Sequence, residues 1–175
     1  MKDITNYLEK PQVDVMLDAA ATRSTRDYLI IRTLWRTGMR VDELLHVRPV
    51  DLEHHNNMVR IVKAKGNKQR RVPLDPGTLF ELQSYIDANA IPPEAPIFPI
   101  TQQWVRKLVN KYANLIGKNI HPHTFRHSFA INSVRHGVDL RRLQQVLGHS
   151  NINITAVYLQ FNDQDLQDVY ANVPF

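Results

Sequence analysis

Apolar residues recur at helical spacing through the N-terminal part of the chain. A first helix is predicted to open at Pro11, because proline is tolerated in the first turn of a helix. Its apolar positions are Val15, Met16, Ala19 and Ala20. A second helix is predicted from Tyr28 to Trp35, and Gly38 ends it because glycine readily adopts a left-handed conformation. Arg40 then stands at the start of a short helix with the sequence VDELLHV.

The C-terminal part of the chain predicts further helices. Asp75 is a good N-cap for a helix that runs to about Ala88, and Thr101 starts another helix. The apolar positions of the latter form one stripe that should face the core: Trp104, Val105, Leu108, Val109, Tyr112, Leu115 and Ile116. A further helix is predicted over Thr124–Arg135, and Asp139 caps another helix with the sequence LRRLQQVL.

Two short segments rich in β-branched residues, Met58–Val62 and Arg71–Leu74, predict strands. A hairpin turn through Lys65, Gly66 and Asn67 joins them, so Lys65 should lie on a projecting tip. The predicted fold class is therefore mixed, mainly α with a small antiparallel β-sheet. A chain of 175 residues can bury one sizeable core, so a single domain over residues 1–175 is expected.

The charge of the chain favours an anionic partner, since the formal net charge is +5 and the sequence pI is about 9.6. Cationic side chains are concentrated in two places, Lys63, Lys65, Lys68, Arg70 and Arg71, and then Arg135, Arg141 and Arg142. Without cysteine the chain can form neither a disulfide nor a zinc–thiolate site. No signal core or membrane-spanning segment is visible, so a cytoplasmic protein is predicted.

Candidate chemistry is concentrated near the C-terminus. Tyr158 stands nine residues after His149 in LGHSNINITAVYLQ, and HTFRHSFA supplies His123 and Arg126. A phenol that attacks a phosphodiester needs its pKa of about 10 to be offset by nearby cationic donors. The equatorial oxygens of the transition state also need neutralisation, which arginine and histidine can provide. This grouping indicates phosphate chemistry with a tyrosine nucleophile.

Two upstream motifs, TGMRVDEL with Arg40 and KAKGNKQRRVPL with Lys65, complete an ordered series of candidate residues. In this order and spacing the motifs resemble the catalytic domain of the tyrosine recombinases, also called phage-type integrases, from roughly Leu8 to the C-terminus. The resemblance implies the DNA breaking-rejoining fold of that domain. It also implies a site-specific recombinase or integrase that needs neither a metal nor a nucleotide cofactor.

The resemblance assigns the main chemical steps to four residues. Tyr158 attacks the scissile phosphate to give a 3′-phosphotyrosyl intermediate, and Lys65 protonates the departing 5′ oxygen. Arg40 and Arg126 neutralise the phosphorane. Members of the family commonly carry a separate N-terminal helical domain that holds the other face of the DNA. Here the motifs begin within the first forty residues, so that domain is expected to be absent.

The resemblance also gives His123 the role of general base and His149 that of hydrogen-bond donor to a non-bridging oxygen. Taken singly, each candidate has a structural alternative: His123 a helix cap, His149 a partner of free helix carbonyls, Arg40 an ion pair with Glu43 at i,i+3. His127, next along the helix, is interpreted as a buried hydrogen-bonding residue.

Double-stranded DNA is the expected partner, and a homotetramer assembled on it is the expected active form. The segment FNDQDLQDVYANVPF predicts a helix capped by Asp163, with one apolar face made by Leu166, Val169, Tyr170 and Val173. The resemblance implies that this helix packs on a neighbouring protomer. Two alternatives remain open, a type IB topoisomerase that relaxes DNA and a DNA-binding regulator without catalysis.

Overall fold

The computed structural model describes residues 6–62, 69–148, 153–156 and 158. Two long helices open the fold, α1 (Lys10–Ala21) and α2 (Thr25–Thr37), and the four-residue α3 (Val41–Leu44) follows. Gly38 ends α2 with a φ of 60° in the left-handed region, as predicted. Arg40 is the N-cap of α3. The three N-terminal helices predicted from the sequence are therefore confirmed.

A small antiparallel sheet follows in the order β1 (Leu52–Glu53), β2 (Met58–Ile61) and β3 (Arg70–Pro73). Short 3₁₀ helices over Pro49–Asp51 and His54–Asn56 flank β1. The two predicted strands are confirmed as β2 and β3, whereas the two-residue β1 was not predicted because it is too short to show an alternating pattern. Residues 63–68, which include the predicted hairpin tip, lie outside the described residues.

The remaining regular elements of the described chain are helices. They are α4 (Pro76–Ala88), α5 (Gln102–Ala113), a 3₁₀ turn (Asn114–Ile116), α6 (Pro122–Arg135), α7 (Leu140–Leu147) and α8 (Asn153–Ala156). The side chains of Asp75, Thr101 and Asp139 cap α4, α5 and α7 by accepting backbone N–H groups, as predicted. The prediction that Leu115 faces the core is wrong. Its side chain is 50% exposed, because the tighter 3₁₀ turn rotates it off the stripe of α5.

The core is built around α2, which packs against α1, α4 and α6. Its side chains Leu29, Ile30, Ile31 and Leu34 are completely buried. A second, smaller cluster joins α6 to α7 through Ala130, Ile131, Val134, Leu143 and Leu147, and it also contains Tyr158. These features confirm a mainly α fold with a small antiparallel sheet. No helix within residues 6–62, 69–148 and 153–156 is both long and apolar enough to cross a membrane.

Candidate active site

The N-terminal half of α6 carries three of the polar side chains on which the site is built. Pro122 occupies its first turn, and Thr124 Oγ1 accepts the backbone N–H of His121 at 3.2 Å. His123 is exposed, whereas Arg126 is only 4% exposed. His127 follows it and is half-buried. The helix therefore presents a solvent-accessible imidazole, a buried guanidinium and a second, more interior imidazole along one stretch.

Arg126 holds two other parts of the chain together. Its Nη1 donates to the carbonyl of Gly38 at 3.0 Å, and its Nη2 donates to the carbonyl of Leu147 at 2.5 Å. Burial, together with the charge of Arg40, lowers the pKa of Arg126 to about 10. The guanidinium thus stays protonated at neutral pH. Because a guanidinium has five N–H donors, it can hold both carbonyls and still donate to a phosphate.

Arg40 is oriented by a buried carboxylate, as the i,i+3 spacing to Glu43 predicts. Glu43 Oε1 accepts from Arg40 Nη1 at 3.0 Å, and Glu43 Oε2 accepts the backbone N–H of Arg40 at 2.8 Å. The Glu43 side chain is 3% exposed, whereas that of Arg40 is 40% exposed. The Arg40 guanidinium is therefore accessible to solvent, while Glu43 fixes its Nη1 and its backbone N–H.

A second cation, Arg70 of β3, binds Glu43, and it was not predicted from the sequence. Arg70 Nη1 and Nη2 donate to the two carboxylate oxygens at 2.8 and 2.7 Å, and Nε donates to the carbonyl of Val146 at 2.8 Å. Burial favours the neutral form of Glu43, yet the bonds from Arg70 and from the Arg40 amide, with both charges, hold its pKa below the ordinary value. The alternation of β3 carries the signal, since Arg70 shares the inward face with buried Val72.

Arg40, His123 and Arg126 line one groove of about 580 Å³ between α3, α5 and α6. Arg106 of α5 and His121 add further nitrogen donors to its wall. The groove therefore gathers cations and imidazoles, together with the carboxylate of Asp42, around a space in which a phosphate could be neutralised. A larger cavity of about 820 Å³ lies between α2 and α4, and among the described site residues neither Arg40, His123, Arg126 nor Tyr158 lines it.

Tyr158 is buried beside α6, with 4% of its surface exposed. Its hydroxyl lies 2.6 Å from Nδ1 of His127, and the two rings are tilted by 51° with centroids 5.9 Å apart. Burial raises the pKa of the Tyr158 phenol, and the charge of Arg126 acts in the opposite direction. The hydrogen bond fits the interpretation of His127 as a hydrogen-bonding residue, although its side chain is half-buried rather than buried. That the partner of His127 is the candidate nucleophile Tyr158 was not predicted. The only signal in the sequence is the spacing of four residues from His123 to His127, which places both imidazoles on one helix face.

Two predicted site residues, Lys65 and His149, lie outside the described residues, as does the predicted C-terminal helix with its cap Asp163. The structure thus brings Arg40, His123 and Arg126 to one groove and Tyr158 to the same helix. The roles given to all six residues stay predictions.

The two predicted concentrations of basic side chains differ in structure. Arg70 is 11% exposed at its side chain and is bound to Glu43, so it belongs to the interior rather than to a cationic surface. Arg71 points outward and pairs with Glu53 at 3.0 Å. In the second concentration Arg141 and Arg142 are exposed, at the start of α7. An external phosphate backbone can therefore reach Arg71, Arg141 and Arg142, but not Arg70.

Comparison with known proteins identifies the family. The sequence model of the Phage integrase family matches residues 6–165. A tyrosine recombinase from Pseudothermotoga lettingae is 37% identical over 171 residues, which cover 94% of this chain and 59% of that protein. The crystal structure of XerA recombinase superposes with a TM-score of 0.80 at 26% identity, covering 97% of this chain and 64% of the other.

XerH site-specific recombinase bound to difH substrate, a pre-cleavage complex, superposes equally well, with a TM-score of 0.80 at 25% identity. The match covers 98% of this chain and 55% of the XerH chain. The chain spans about three fifths of the length of the curated relative described above. The fold, the candidate residues on the groove and the extent of the family match agree, and the chain belongs to the phage integrase family of tyrosine recombinases.

Proposed function

We propose that this chain is the catalytic part of a site-specific DNA recombinase that cuts and rejoins DNA through a 3′-phosphotyrosyl intermediate. One observation carries the proposal. Arg40, His123 and Arg126 meet on one groove, and the phenol of Tyr158 is bonded to the histidine that follows Arg126 on the same helix. Cations that neutralise a phosphorane and a phenol that can attack it are the two requirements of this chemistry.

In the proposed reaction the scissile phosphate binds in the groove between Arg40 and Arg126. Glu43 fixes Arg40, and the carbonyls of Gly38 and Leu147 fix Arg126, so both guanidinium groups are oriented before DNA arrives. Such preorganised donors stabilise developing charge without the cost of reorientation. His123, exposed on the groove, is placed to contact the phosphate.

Tyr158 and Lys65 supply the covalent steps. The Tyr158 oxygen forms a bond to phosphorus while the bond to the 5′ oxygen breaks, and Lys65 donates a proton to that oxygen. His149 donates a hydrogen bond to a non-bridging oxygen. A later attack by a 5′ hydroxyl on the phosphotyrosyl bond reverses these steps and joins the strands. The roles of Lys65 and His149 rest on the sequence motifs alone.

The partner in this proposal is double-stranded DNA, and XerH bound to its difH substrate supports it as a relative with the same fold. We further propose a homotetramer on DNA in which the C-terminal helix, with Leu166, Val169, Tyr170 and Val173 on one face, packs on the next protomer. A chain ending at Asn162 should then bind DNA and fail to assemble, as measured by light scattering. A cytoplasmic location is predicted from the sequence. It is compatible with DNA as the substrate, and it stays a prediction.

A strand-exchange assay tests the recombinase function against a topoisomerase or a regulator without catalysis. The target duplex is first identified by mapping the covalent complexes that the protein forms on the DNA of the source cell. Two plasmids carrying that duplex, one of them labelled, are then incubated with the protein. Recombinant plasmids are expected. Relaxed but unexchanged plasmids would indicate a topoisomerase instead, and DNA binding without a covalent complex would indicate a regulator.

A further inference from the structure

The phenol of Tyr158 has one partner within hydrogen-bonding distance that can accept a proton, among the contacts given by the described residues. That partner is Nδ1 of His127, 2.6 Å from the phenol oxygen. The ring of His127 also lies against the ring of Tyr158, with centroids 5.9 Å apart. A nucleophile and a base in direct hydrogen-bond reach are the structural signature of an activated nucleophile.

We propose that His127 takes the phenolic proton of Tyr158 as the phenol attacks the scissile phosphate. The inference rests on the proposed function, in which Tyr158 is the nucleophile. It departs from the family resemblance, which gives the role of general base to His123. His127 is thus proposed as a catalytic residue, because it contacts a reacting atom.

The environment of the phenol makes a proton acceptor necessary. Tyr158 is 4% exposed, and burial raises its pKa, so the phenol is protonated at neutral pH. Attack on phosphorus therefore requires a group that accepts the phenolic proton. An imidazole in its neutral form is the side chain best suited to accept it near neutral pH.

The two histidines of α6 lie in different surroundings, which favours different roles for them. His123 lies one helical turn before His127 and is exposed on the groove, beside Arg40 and Arg126. His127 is half-buried and bonded to the phenol. An imidazole on the groove is placed for the phosphate, and an imidazole on the phenol is placed for the nucleophile. The geometry thus favours phosphate contact for His123.

In the proposed step the O–H bond of Tyr158 breaks, its proton passes to Nδ1 of His127, and the phenol oxygen bonds to phosphorus. The electron pair of the bond between phosphorus and the 5′ oxygen leaves with that oxygen, which receives a proton from Lys65. When a 5′ hydroxyl later attacks the phosphotyrosyl bond, His127 returns its proton to the departing phenol oxygen.

The test uses the full chain and a nicked duplex that carries the trapped target site, so that covalent adduct accumulates. Adduct formation is timed for the wild type, His127→Gln, His127→Ala and His123→Ala. His136→Ala is the matched control, since His136 is exposed at the end of the same helix. Its ring Nδ1 hydrogen-bonds to the Asn132 carbonyl of that helix. Each protein is prepared with ordinary tyrosine and with 3,5-difluorotyrosine at position 158, whose acidic phenol needs little help to ionise.

Both His127 variants should slow adduct formation by roughly 10²–10⁴-fold with ordinary tyrosine. Glutamine can still hydrogen-bond the phenol but cannot take its proton, so His127→Gln separates proton transfer from simple positioning. Fluorinated tyrosine should restore the His127 variants to within about tenfold of the wild type. His136→Ala should react at the wild-type rate. Thermal unfolding of each variant confirms that it is folded.

Three results would overturn the inference. They are a wild-type rate for His127→Gln, a defect in the His127 variants that fluorination does not relieve, and relief by fluorination in His123→Ala instead. The failure of the proposed function gives a different result, because the wild type would then form no adduct at all. A wild type that forms adduct with an unimpaired His127→Gln leaves the recombinase function intact and removes only the role of His127.

Discussion

Arg70 and Glu43 form a two-pronged ion pair across 27 residues of sequence, with N–O distances of 2.8 and 2.7 Å. Glu43 also binds Arg40, and Arg70 also binds the carbonyl of Val146 near the end of α7. One carboxylate therefore links an arginine of the groove to β3. It also links that arginine to the helix that precedes His149. The orientation of Arg40 therefore depends on Glu43 and Arg70, which are not among the residues that line the groove.

Replacing Arg70 should test this link. Arg70→Leu leaves Glu43 with one of its two cations, and breaking a buried ion pair costs about 3–5 kcal/mol of unfolding free energy. Chemical denaturation measures the loss. Arg71→Leu is the matched control on the same strand, because the Arg71 side chain is 66% exposed and its pair with Glu53 should contribute at most about 1 kcal/mol. Equal losses in the two variants would show that the buried pair contributes no more to the unfolding free energy than the exposed pair does.

Glu43 also predicts a dependence of stability on pH. Its pKa is lowered in the folded protein, so its contribution is present above the ordinary value of 4.5 and is lost as the pH falls through the folded pKa. Urea unfolding at a series of acidic pH values should therefore show a shallower loss of stability for Glu43→Gln than for the wild type. Asp51 and Asp75, whose pKa values are also lowered, contribute to the remaining slope.

The control for this pH series is Glu94→Gln, since the Glu94 side chain is 73% exposed. Its profile should follow that of the wild type. A Glu43→Gln profile parallel to the wild type throughout the acidic range would contradict the link between Glu43 and acid stability.

Arg126 combines a structural role with the proposed catalytic one. Arg126→Lys keeps the charge but cannot hold the carbonyls of Gly38 and Leu147 with a planar fork. Cleavage of the nicked duplex should fall by about 10²–10³-fold, the usual effect of losing one preorganised donor. Binding to DNA in a filter assay should change little. Arg135→Lys, an exposed position on the same helix, should cleave normally. An unimpaired Arg126→Lys would mean that only the charge is needed.

The role of Lys65 is a prediction from sequence. Lys65→Ala should slow cleavage by roughly 10²–10⁴-fold, and a 5′-thio leaving group, which needs little protonation, should restore most of the rate. Lys63→Ala and Lys68→Ala are the matched controls on the same segment. A similar defect on both substrates would exclude Lys65 as the proton donor, and rescue of a control variant instead would move the role to that lysine.

The sequence predicts most of the fold because helix caps and apolar spacing are local signals. Asp75, Thr101 and Asp139 mark helix starts that the structure confirms. Contacts between distant segments have no such signal. The pair of Arg70 with Glu43 and the bond of His127 to Tyr158 arise only when β3, α3 and α6 come together. The sequence therefore groups Arg70 with the other cationic side chains of its segment, and it does not indicate Tyr158 as the partner of His127.

The most direct test of the account is the identity of the residue that bonds to DNA. The wild type is incubated with a nicked duplex carrying the target site, digested with protease, and the DNA-linked peptide is identified by mass spectrometry. We expect a phosphotyrosyl bond at Tyr158, no adduct for Tyr158→Phe, and normal adduct for the control Tyr85→Phe, a half-buried tyrosine of α4. An undiminished adduct in Tyr158→Phe, or a DNA-linked peptide from another residue, would contradict this expectation.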